Sequence, residues 1–140
     1  YYERALKLKP YDKTILNNLL MVQNSLIDII VQSIQDVKGN NISLLDLREI
    51  DNRVSDYFVI CDGNSNIQVN AISSSVTKKV SKNLKEKPWG IEGIENSEWV
   101  LIDYVDVIVH IFKKEKRDFY DIESLWGDVK KIEYSNYDEK

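Results

Sequence analysis

Asp103, Asp106 and His110 stand close together in the run WVLIDYVDVIVHIF, residues 99–112, and His110 is the only histidine of the 140-residue chain. A histidine near two carboxylates is the raw material of general acid–base catalysis. Spacing argues against that use here. The β-branched and aromatic content of the run predicts two strands, 98–103 and 106–112, joined at Tyr104 and Val105. On the second strand Asp106 and His110 share a face, but four residues of strand separate them by about 13 Å, too far for a hydrogen-bonded dyad. Asp103 and Asp106 flank the turn, where aspartate side chains commonly brace the backbone.

Other chemistries fare no better. GNSNIQ, residues 63–68, has a glycine ahead of a helix start and could cradle a phosphate. A nucleotidyltransferase would then need carboxylates close behind to hold a divalent metal, and from Gly63 to Lys85 there is neither Asp nor Glu. Asn64 or Ser65 reads more simply as a helix cap. One cysteine and one histidine make no zinc spacing, and Cys61, set in an apolar strand, reads as a small core residue. No catalytic residue, metal or cofactor is expected.

These residues must be positioned by a framework that the sequence outlines. Apolar positions recur every three or four residues from Ile15 to Val37, after a plausible N-cap at Asp12, predicting one long helix or two abutting near Asn24. ISLLDL (42–47) and DYFVICD (56–62) predict strands. Ile67, Ala71, Ile72, Val76, Val80 and Leu84 predict a second helix ending before Pro88, and EKPWGIEGIENSE predicts a loop. After the hairpin, 114–126 predicts a third helix with Phe119, Ile122, Leu125 and Trp126 inward. A short strand or extended tail follows. The order α, β, β, α, β, β, α implies an α/β fold, a mixed sheet with helices packed on it.

Composition narrows the function. The chain carries 19 basic and 23 acidic residues, a net charge of −4, which does not suit a protein that grips a phosphate backbone by itself. An acidic protein does suit a basic protein partner. A lone cysteine fits a reducing compartment. No apolar run approaches the roughly 18 residues of a membrane span, and the first twenty residues lack a signal-peptide core. The expectation is a cytoplasmic protein without membrane or direct nucleic-acid contact. Residues 1–20, whose YYERALKLKP resembles the end of a tetratricopeptide unit, read as a helical extension of uncertain origin, since Met21 would suit a native start. The main domain is then 21–128, with a polar tail at 129–140.

Three stretches carry a resemblance. SDYFVICDGNSNIQVNAI (55–72), IEGIENSEWVLIDYVDVIVHIF (91–112) and RDFYDIESLWGD (117–128) resemble, in order and spacing, three signature blocks of the ribosomal silencing factor family, also called Iojap. With the preceding helix the resemblance covers about 22–128. It implies a nucleotidyltransferase-like topology without catalytic carboxylates. It also implies a translation repressor that binds the large ribosomal subunit through its fourteenth ribosomal protein and sterically blocks joining of the small subunit. A nucleotide-handling enzyme and a large-subunit assembly factor remain as alternatives, and the free protein can be monomer or homodimer on this reading. Carried across by position, Glu92 and Gly93 match the loop, Leu125 and Trp126 the last helix. The partner-binding set is expected among Trp99, Asp103, Tyr104, Asp106, His110, Arg117 and Tyr120. For Trp99 and Tyr120 the sequence leaves core and surface equally open. Val105 departs from the family's usual glycine. Valine resists positive φ, so the hairpin is expected to use a wider turn with a displaced tip.

Overall fold

A computed structural model describes the backbone of residues 13–136 and the side chains of residues 25–136. The extension-like start, the Asp12 cap and the last four residues lie outside these described residues. Helix α1 spans Lys13–Asp36 without a break near Asn24. Strands β1 (Asn40–Asp46) and β2 (Tyr57–Gly63) follow, then α2 (Asn66–Leu84) and the short β3 (Gly90–Glu92). The hairpin β4 (Trp99–Asp103) and β5 (Val107–Lys113) leads into α3 (Lys114–Tyr120), a 3-10 turn (Ile122–Trp126) and β6 (Lys130–Glu133).

The six strands form one mixed sheet in the order β3-β4-β5-β2-β1-β6. All neighbours are antiparallel except β2 and β5, which run parallel at the centre. Both central strands are buried nearly throughout, as expected of strands covered on two faces. Alternation sorts their side chains. Val59, Cys61, Val107, Val109 and Ile111 face α1 and α2, where Ile30, Ile34, Val69, Ile72, Val76 and Val80 complete the larger core. At about 1.5–3 kcal/mol per buried aliphatic side chain, this layer dominates stability. Phe58, Ile60, Ile108 and Phe112 point the other way and meet Leu45 and Leu47, with Ile122, Trp126 and Val129 partly covering them.

Local chemistry fixes the ends of α2. Ser65 Oγ accepts from the Gln68 amide at 3.1 Å, and Gln68 Oε1 reaches back to accept from the Asn64 amide at 2.7 Å. This near-reciprocal cap consumes donors that a phosphate would need. Lys85 closes the helix in the left-handed region at φ 56°, its amide donating to Ser81.

Two expectations are corrected. The segment 86–98 contains a strand, β3, whose three residues are all exposed and whose place is set by pairing with β4. The predicted helix 114–126 breaks at Asp121, which takes φ 44° and ends α3. The break turns Phe119 and Leu125 outward, 77% and 73% exposed, instead of inward. Of the short strand or extended tail expected next, the strand is found: β6 lies at the edge of the sheet, beside β1.

Candidate functional site

The hairpin's second face carries an aromatic series running from core to solvent. His110 lies 4.5 Å from Phe58, ring centre to ring centre, and both are buried. Trp99 stands opposite Phe112 in the β4–β5 register and stacks on it at 4.8 Å. Tyr120 packs on Trp99 at 4.9 Å, and Phe119 meets Tyr120 edge-on at 5.1 Å. Tyr120 is 48% exposed and Trp99 is half-buried. The outer rings therefore present rigid apolar area on a packed base, the composition of interface hot spots.

His110 is the hub of this stack, not an acid or base at its rim. Its Nδ1 accepts from Trp99 Nε1 at 3.2 Å, so the neutral ring carries its proton on Nε2, which has no hydrogen-bond partner among the described residues. Burial pulls its pKa down to about 4. At neutral pH it is an uncharged spacer that orients the indole.

Tyr104, Asp103 and Asp106 sit at the other end of the hairpin. Asp103 is the partner of Ile108 while Trp99 is the partner of Phe112, so about 13 Å of strand separates the two groups. Val105 does keep positive φ, 73°. The connection is three residues, 104–106, one more than a two-residue turn. The Asp106 amide donates to the Tyr104 carbonyl and the Tyr104 amide to Val107, both at 2.9 Å. Asp103 Oδ1 accepts from the Val105 amide at 2.7 Å, and the Asp106 carbonyl accepts from the Asp56 and Tyr57 amides. Tyr104 is buried, its hydroxyl unpaired among the described residues and its pKa pushed up by burial. Glycine at 93 also belongs to this framework. It takes φ 85°, and a Cβ there would stand 2.0 Å from the Trp99 carbonyl.

Arg117 is largely enclosed, its side chain 10% exposed. Its guanidinium donates to Glu123 through Nε at 2.9 Å and Nη2 at 3.0 Å, and to Asp62 at 3.1 Å. It also donates to the Asn41 carbonyl. These bonds hold Glu123 below the usual carboxylate range, while burial pushes Asp62 up against Asn41 and Arg117. The cluster pins α3 and the 3-10 turn to β1 and β2. Of the seven expected residues, the structure thus joins Trp99, His110 and Tyr120, puts Arg117 in an ion-pair lock, and leaves Asp103, Tyr104 and Asp106 at the hairpin tip. Sequence reasoning missed Phe119 as an outward ring and Asp62 and Glu123 as the partners of Arg117, which lie 55 and six residues away along the chain.

A family model described as Ribosomal silencing factor during starvation matches residues 22–140. The chain belongs to the ribosomal silencing factor family. The ribosomal silencing factor RsfS of Halalkalibacterium halodurans is 38% identical over 113 residues, covering 81% of this chain and 95% of the relative. That of Bacillus subtilis is 39% identical over 110 residues, 78% and 91% of the two chains. The chloroplastic protein Iojap of Zea mays is 30% identical over 104 residues, 74% of this chain and 44% of that one. A crystal structure of a Chromobacterium violaceum protein superposes with a TM-score of 0.70 at 34% identity, over 83% of this chain and 95% of the other. The mixed sheet with packed helices is therefore the fold of this family.

Proposed function

We propose that the protein represses translation, without catalysis, by seating its open sheet face on the fourteenth ribosomal protein of the large subunit and so occluding the small subunit. Family membership supports the ribosomal role, and the observation that carries the face is the Trp99–Tyr120 pair, rigid and partly exposed over a buried base. Trp99 and Tyr120 make the contact, joined by Phe119. Asp103 and Asp106 set the acidic rim at the tip. His110, Tyr104 and Arg117 act from beneath, holding those elements in place. The nucleotidyltransferase-like topology belongs to this reading as a scaffold. Pelleting with isolated subunits tests it: the wild-type protein sediments with large and not small subunits. Tyr120→Ala keeps its circular dichroism spectrum and Tm but binds at least about tenfold more weakly, the loss of about 1.4 kcal/mol at one interface ring. Equal sedimentation with both subunits, or unchanged binding by the folded variant, overturns it.

A further inference from the structure

The acidic balance of the whole chain hides a basic segment. Residues 78–89, KKVSKNLKEKPW, hold five lysines and one glutamate, so the positive charge is concentrated where the net charge of −4 predicts none. Lys78 and Lys82 stand four residues apart on one face of α2, and Lys85 caps the helix just beyond them. All three are exposed, as is Lys87 in the loop beyond. Lys79 pairs with Asp36. Among the described residues the other four make no ion pair. Glu86 is half-buried, its charge felt by Tyr104.

These lysines border a concavity. Thr77, Lys78, Ser81, Lys82, Lys87 and Ile91 line an open groove of about 520 Å³ between α2 and the β3 edge. Beside it Trp89 is 83% exposed. Its backbone is anchored, since its amide donates to the Asp103 carbonyl at 2.7 Å. Strand alternation puts position 89 on the same sheet side as Ile91, the partner of Ile102 in the α2-facing core. Helix-dipole compensation accounts for lysines in the last turn of α2. It accounts for neither Lys78, further back, nor Lys87, nor an indole left in water.

We infer that this groove binds single-stranded RNA, with the lysines on successive phosphates and Trp89 stacked on one base. Cationic side chains beside an exposed aromatic are what sequence-tolerant strand binding uses, and the Ser81 hydroxyl suits a phosphate or ribose oxygen, that of Thr77 being turned back onto the Ser73 and Ser74 carbonyls. Lysine clusters also attract anionic membranes, but a flat membrane surface reaches only the rim of a groove, whereas a strand can lie along it. The site lies on the helical side of the sheet, away from Trp99 and Tyr120. It does not depend on the proposed ribosomal contact.

Fluorescence anisotropy with a fluorescein-labelled uridine dodecamer, run without ribosomes, tests the inference. Wild type binds at low salt. Replacing Lys78, Lys82 and Lys87 together by Gln weakens binding and lowers the slope of log affinity against log salt by about 2, the value for three single-strand phosphates. Trp89→Ala weakens binding about tenfold and leaves that slope unchanged. Tyr120→Ala binds the dodecamer as wild type does, which separates this site from the subunit-binding face. Absence of binding, wild-type behaviour of the lysine or Trp89 variants, or a preference for polyglutamate or phosphatidylserine vesicles over the dodecamer overturns it.

Discussion

His110 shows how burial converts a residue with catalytic credentials into a structural one. With no carboxylate beside it among the described residues and its Nδ1 committed to Trp99, it stays neutral in the folded protein down to a pKa of about 4. In the unfolded chain it titrates near 6.5. Between those values the unfolded state binds a proton that the folded state refuses, so stability is lost as pH falls through the window. The loss amounts to about 2 kcal/mol between pH 7 and pH 5. Glu123 and Asp46, both held low by arginines, lose their contribution at lower pH. Urea midpoints at pH 7 and 5 check this: wild type drops and His110→Phe stays nearly level. A wild-type midpoint that does not move would mean the ring is solvated.

Elements carry their own strain and their own locks. Val105 sits at φ 73° at the centre of the three-residue turn between β4 and β5, a conformation that costs a β-branched residue of order 1–3 kcal/mol. Val105→Gly removes it at the expense of added chain entropy, for a net gain of about 1 kcal/mol seen as a higher Tm. A lower Tm would show the turn has adjusted to valine. Arg117 does the reverse service for α3. Arg117→Ala leaves Asp62, 2% exposed, without its cation and costs about 3–5 kcal/mol in chemical denaturation. A folded alanine variant of wild-type stability would make Arg117 a surface group. The same two elements mark the limit of what the sequence revealed. Strands 42–47 and 56–62 and the end of α2 were legible to within two residues because periodic apolar patterns fix them. The Ser65 cap was legible as one of two choices. The break at Asp121 was not, because 119, 122, 125 and 126 fit a helical stripe whether or not the helix continues. β3 was invisible for a different reason: Gly90–Glu92 is wholly exposed and borrows its conformation from β4.

At the scale of the molecule, the fold presents two unlike sides. One sheet face is shielded by α1 and α2, the other only by the 3-10 turn and its surroundings. The family and the presence of an aromatic candidate site were legible from three blocks of sequence. Which of the seven residues stand together was not, because it depends on which face each strand residue takes. If the open face meets a basic ribosomal protein, charges at its rim are screened by salt. Large-subunit affinity then falls as ionic strength rises from about 0.05 to 0.3 M, mainly through slower association. A salt-independent association rate would remove charge from the account.

The single parallel seam of the sheet bears on how the protein is made. Tyr57 of β2 pairs with Val107 of β5, about fifty residues later in synthesis. β1 pairs with one edge of β2 early, and α2 emerges in time to cover one face. The other edge of β2, buried at every position in the finished protein, waits for β5. An unpaired, apolar strand edge is a template for association with other chains. The interval between these two strands leaving the synthesis machinery is therefore the chain's period of greatest aggregation hazard, and it ends only when the β4–β5 hairpin docks.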